Sequence, residues 1–84
     1  MSQIVVEAIT YDGKTYKFQV ESWSQSIAML KFRRGFNKWI EDLEKRKLSF
    51  IKKQFTFRGN WDYRMLNPLT KELDKNNITW WLDP

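Results

Sequence analysis

The chain has 84 residues and a formal net charge of +5, and it contains neither cysteine nor histidine. That length allows one domain, burying only about 60% of the surface its unfolded form exposes, and no disulfide or thiolate metal site can compensate. The usual zinc ligands and the commonest general base are missing too, so apolar burial must carry the fold; five Trp, six Phe and three Tyr supply it.

The amino terminus, MSQIVVEAITYDG, has no basic lead, long apolar run or small-residue cleavage site, so no signal peptide is expected. No apolar stretch approaches the roughly 18 residues that a membrane span needs. A soluble, cytoplasmic protein without membrane contact is expected. The charge is concentrated. Residues 31–58 hold Lys31, Arg33, Arg34, Lys38, Lys45, Arg46, Lys47, Lys52, Lys53 and Arg58 against Glu41, Asp42 and Glu44, while the rest of the chain is slightly acidic. A middle third this polarised suggests an anionic partner, although surface charge also serves solubility.

Taken in chain order, residues 3–21 read as a β-hairpin, two runs of β-branched and aromatic residues flanking Asp12-Gly13. A two-residue turn would set Glu7 opposite Phe18. A three-residue turn with a bulge aligns Val6 with Val20 and Ala8 with Phe18, and is favoured because it gathers one apolar face. A long helix follows, from Ser22 or Ser24 to about Lys47. Ser22 with Gln25 fits a capping box, and Ser24 is the alternative cap. Met29, Phe32, Phe36, Ile40 and Leu43 recur at steps of three or four as one apolar stripe. Gly35 lies inside it, at a cost of about 1 kcal/mol relative to alanine, and marks a place for a kink.

Next, SFIKKQFTF alternates, with Ile51, Phe55 and Phe57 on one side and Lys52, Gln54, Thr56 and Arg58 on the other. Gly59-Asn60 signals a turn into a strand at Trp61 to Leu66, whose register would pair Phe57 with Trp61 and Phe55 with Tyr63. NPLTKELDKNN reads as a short helix with Asn67 as cap, Pro68 at its first position, Leu69 and Leu73 one turn apart, and Asn76 or Asn77 at its end. ITWWL closes the chain as a strand. The order is ββαββαβ, a small single α+β domain spanning residues 1–84, in which one long amphipathic helix and one short helix cover an antiparallel sheet.

Within RRGFNKWI (residues 33–40), Arg34-Gly35-Phe36 resembles the opening of the strand signature of RNA-recognition domains. The likeness stops there. Asn37 stands where a small residue is wanted and Lys38 where the second stacking aromatic is needed, so a strand here would offer one ring instead of two. Read as a helix, the segment sets Lys31, Arg34, Lys38 and Lys45 on a ridge opposite Phe36. Glu41 can pair with Lys45, and Asp42 with Lys38, leaving Lys31, Arg33 and Arg34 free.

Catalysis has little support: no nucleophile and base stand at a telling spacing, and Glu41 with Glu44, which could touch a divalent ion, are more often solvated charge. No enzyme activity, metal, or small-molecule cofactor is expected. The leading expectation is a small basic nucleic-acid-binding module, for DNA or RNA. It would hold phosphates with Lys31, Arg33, Arg34, Lys38, Lys52, Lys53 and Arg58. Trp80 and Trp81 point to opposite faces of a strand, so one of them, with Tyr63, is a candidate aromatic contact. The alternative is a protein-interaction module that binds an acidic partner protein, a small regulator or inhibitor of the kind phages and mobile elements encode, anchored by an exposed Trp. For the basic surfaces themselves, an ordinary solvated face is the competing reading.

Overall fold

In the computed structural model, which covers residues 1–84, strands β1 (Ser2–Thr10) and β2 (Thr15–Ser22) form an antiparallel hairpin. Ile4 lies opposite Val20, Val6 opposite Phe18 and Ala8 opposite Tyr16. The apolar face forms as expected, but every pair is shifted by two residues from the expected Val6–Val20 register. The turn decides this. Tyr11, Asp12 and Gly13 make the loop, the Thr10 N–H donates to the Lys14 carbonyl, and Gly13 takes a φ of 85°, which glycine adopts without a Cβ clash.

Helix α1 (Gln25–Lys45) is capped by Ser24, whose Oγ accepts from the Ile27 N–H at 3.4 Å. Ser22 is not the cap; its Oγ accepts from the Ser24 N–H instead. Gln25 forms no capping box. Its Nε2 donates to the Asn60 carbonyl at 2.7 Å and its Oε1 accepts from the Asp62 N–H at 2.8 Å, which ties the start of α1 to the chain entering the second helix. The expected stripe turns inward: Met29, Phe32 and Leu43 are buried, and Phe36 packs against the core. Helix α1 runs through Gly35 without a break, and the absence of a side chain there has a steric use. A Cβ there would stand 2.9 Å from Cζ of Phe18, whose ring is enclosed by Phe32, Phe36 and Trp39 at centroid distances of 6.0, 6.1 and 5.6 Å.

Strand β3 (Phe50–Arg58) pairs antiparallel with the free edge of β1, placing Phe55 opposite Val6 and Phe57 opposite Ile4 on the inner face. Ile51 departs from the expected alternation. The register slips between Ile9 and Thr10, whose partners are Lys52 and Phe50, so Ile51 falls in a bulge and is exposed.

The strand expected at Trp61 to Leu66 is replaced by the start of helix α2 (Tyr63–Lys75). Asp62, not Asn67, is the cap: its Oδ1 accepts from the Arg64 N–H at 2.9 Å. Pro68 therefore sits inside the helix, where it removes one backbone bond and costs roughly 3 kcal/mol. Tertiary burial outweighs that local signal. Helical phase carries Leu66 to the same side as Leu69 and Leu73, and Leu66 and Leu73 are both buried in the core, whereas in a strand Leu66 would oppose its aromatic neighbours. The expected Phe57–Trp61 contact survives without a strand, edge to face at 6.1 Å. Tyr63 is exposed and forms no ladder with Phe55.

Strand β4 (Thr79–Asp83) pairs with β3 in parallel, so the sheet is mixed, with the order β2-β1-β3-β4. The all-antiparallel expectation fails here because α2 carries the chain back before β4 begins, and a helical crossover joins parallel neighbours. The α+β class holds, with one long and one short helix over one sheet face. The core joins Ile4, Val6, Phe55 and Phe57 from the sheet to Met29, Phe32, Leu66 and Leu73 from the helices.

Candidate nucleic-acid interface

The topology gives the molecule two unlike ends. Both helices start where β2 and β3 finish, and both finish near the Thr10–Phe50 end of the sheet. There the hairpin loop meets the chain leaving α1 through a hydrogen bond from the Tyr11 N–H to the Ser49 carbonyl at 3.3 Å. The exit from α1 is sharp: Arg46 caps the helix and Lys47 takes a left-handed φ of 57°. Lys14, Lys45, Arg46, Lys47 and Lys52 are thereby exposed around one end, with Lys53 half-buried beside them. Arg34 and Lys38 lead toward this end along the solvent side of α1; Arg34 to Lys45 spans about 16 Å at 1.5 Å per residue.

The expected pairs Glu41–Lys45 and Asp42–Lys38 do not form. The three ion pairs are Lys14–Asp12 at 4.0 Å, Arg58–Asp83 at 3.5 Å and Arg64–Asp62 at 3.1 Å, and none involves a basic residue from Lys31 to Lys53. Exposed side chains at i,i+4 spacing gain only about 0.3–0.5 kcal/mol from pairing, too little to hold one geometry.

The seven expected phosphate contacts do not form one patch. Arg34 and Lys38 share the helix ridge, and Lys52 belongs to the basic end. Lys31 lies near the opposite end, its Nζ donating to the Glu21 carbonyl at 3.0 Å. Arg58 is on the open sheet face with Lys52, but six residues along a strand separate them by about 20 Å. That face carries both signs of charge: Lys17 faces Glu7, Gln3 donates to Glu21, and Arg58 pairs with Asp83. It is no basic platform. Sequence reasoning gave too little weight to Arg46 and Lys47; their place directly after the helix was the available signal, whereas the approach of the hairpin loop was not.

Arg33 and Lys53 both line a groove of about 660 Å³ that was not anticipated. Helix α1 packs over β2 and β1, and α2 lies beside β4, so Phe55 of β3 is left between them. Phe36, Ile40, Phe55 and Leu69 are among its apolar lining, and Glu72 is an acidic residue of the same lining. No cluster of three or more Asp or Glu side chains gathers there or elsewhere.

The aromatic candidates are dispersed. Trp80 points inward, its ring edge-to-face with Phe57 at 6.1 Å and its Nε1 donating to Oδ1 of Asp74 at 2.8 Å. Trp81 is 41% exposed on the open face, opposite Thr56. Tyr63 lies at the far end, at the start of α2. The most exposed Trp is one the sequence reading passed over: Trp23, 83% exposed beside the α1 cap.

Two carboxyls are held below the usual carboxylate range. The Thr10 hydroxyl and then the Lys14 N–H donate to Asp12, and the Arg64 N–H and then its guanidinium donate to Asp62. Both stay ionised and fix turns; neither has a partner poised for proton transfer. Compared with known proteins, the chain matches no family model, no curated protein and no solved structure.

Proposed function

We propose that the protein is a small, non-enzymatic nucleic-acid-binding module. It holds backbone phosphates along Arg34, Lys38 and Lys45 and at the loop end formed by Arg46, Lys47 and Lys52. The observation supporting this reading is the exposed set of six cations from mid-helix to that end, none of them in an ion pair although Glu41, Asp42 and Glu44 are exposed between Lys38 and Lys45. Such a surface suits a polyanion, since each phosphate neutralised by Lys or Arg releases condensed counterions. Phosphate contacts position a protein without reading base edges, so the proposed binding is sequence-independent and its target is DNA or RNA. No helix is long and apolar enough to cross a membrane; a cytoplasmic location is part of the proposal.

The test is the salt dependence of oligonucleotide binding. About five phosphate contacts give a log-log slope near −4.5 on duplex DNA and near −3.5 on a single strand. Replacing Lys38, Arg46 and Lys52 together by Glu should flatten the slope by about three contacts' worth, whereas reversing Lys31 and Arg58 should change it much less. A flat salt response in the unaltered protein overturns the proposal.

A further inference from the structure

We propose that the outer face of the first two turns of α1 docks onto a second protein, specifically onto an acidic amphipathic helix. The inference goes beyond nucleic-acid binding and does not rest on it. Trp23, Ile27 and Leu30 are 83%, 49% and 46% exposed. Ile27 and Leu30, three residues apart, share one side of the helix, and Trp23 stands just before the Ser24 cap at the same end. The inward stripe of Ala28, Met29 and Phe32 already faces the sheet, so this second apolar patch does nothing for the fold. Beside Trp23 lies a hollow of about 490 Å³ bordered by Met1, Ser26, Asn60, Met65 and Asp62, whose carboxylate is paired with Arg64, and it has room for a partner side chain. The three exposed side chains offer on the order of 300 Å² of apolar surface, within the range of patches that are often functional.

Charge selects the occupant. Residues 25–40 contain no Asp or Glu, and Lys31, Arg34 and Lys38 flank or continue the patch without ion pairs. A second copy, itself at +5, would bring like charge to this face. A nucleic acid would answer the cations but leave Ile27 and Leu30 in water. A helix with apolar residues on one side and carboxylates at its flanks answers both, packing 8–10 Å from α1 by ridges and grooves with Trp23 as anchor.

The experiment selects displayed helical peptides, about five turns long, with Leu fixed at i, i+4 and i+7 and every other position randomised, against the intact protein. Expected binders are enriched in Asp and Glu, and they lose at least about tenfold in affinity to Trp23→Ala and to Leu30→Glu but not to Trp81→Ala. Because Trp23 is so exposed, Trp23→Ala should melt with the parent. The proposal is overturned if no binder emerges, if binders lack acidic enrichment, or if they survive Trp23→Ala. Oligonucleotide binding that falls as far as peptide binding in Trp23→Ala would assign the face to nucleic acid and overturn it. So would a dimer in light scattering that Trp23→Ala converts to monomer, which would assign the face to a second copy.

Discussion

Replacing Gly35 by alanine sets two effects of known sign against each other. In the interior of a helix alanine is favoured over glycine by about 1 kcal/mol. The added methyl would lie 2.9 Å from Cζ and 3.1 Å from Cε2 of Phe18, well inside the roughly 3.5–4.0 Å at which carbon atoms attract. The ring would have to retreat, yet Phe32, Phe36 and Trp39 enclose it with centroids no farther than 6.1 Å. Overpacking of this kind costs about 1–3 kcal/mol, so the net expectation is a loss of about 1 kcal/mol, or about 4–8 °C in Tm for a domain of this size. Thermal unfolding followed by circular dichroism measures it. The decisive arm is the same change in a Phe18→Leu background, where the smaller side chain makes room: there Gly35→Ala should raise Tm, reversing its sign. If Gly35→Ala raises the Tm of the otherwise unaltered protein, the steric account of this glycine is wrong.

Other expectations follow from the packing and the charges. Phe57→Ala, at a fully buried position, should cost about 3–5 kcal/mol in urea unfolding, whereas Trp81→Ala on the open face should change stability by less than about 1 kcal/mol; equal losses would mean that the sheet is covered on both faces. Asp62→Asn keeps an oxygen for the α2 cap but has no charge to titrate. Asp62 titrates below its usual 3.8, so its contribution is complete above that pH and is lost as the pH falls through the lower folded value. The Tm difference between parent and Asp62→Asn should therefore shrink on acidification below 3.8, and a difference that stays constant there counts against the cap. Arg33→Glu with Lys53→Glu, in the groove lining, should weaken oligonucleotide binding less than Lys38→Glu with Arg46→Glu; the reverse order would move the phosphate site into the groove.

Elements that announce themselves through local pattern were legible in the sequence. The hairpin showed in Asp12-Gly13 and its flanking runs, α1 in the Met29-to-Leu43 stripe, and β3 in the alternation ending at Arg58. Features fixed by distant partners were not. Pro68 and Asn67 are sound local signals for a helix start, and they were overridden because Leu66 gains a place in a core built largely by other segments. The direction of β4 depends on where α2 delivers the chain, and the bulge at Ile51 depends on β1. The candidate interface divides in the same way. Its excess charge could be counted along the chain, but the distance from Lys52 to Arg58, the neutral balance of the open face and the presence of Arg33 and Lys53 in the lining of one groove are facts of three dimensions. Trp80 and Trp81 drew attention as adjacent aromatics, while Trp23, isolated between two serines, had no pattern to mark it.

The central placement of β1 has a consequence for the order of assembly during synthesis. Its first edge is taken by β2 once residue 22 has emerged, but its second edge has no partner until the chain reaches Phe50–Arg58, and β3 in turn waits for Thr79–Asp83. Until then Ile4, Val6 and Phe18 form an apolar ribbon that only α1 can cover. The reversal at Lys47, which brings β3 alongside β1, therefore separates a hairpin lying on a helix from a closed sheet.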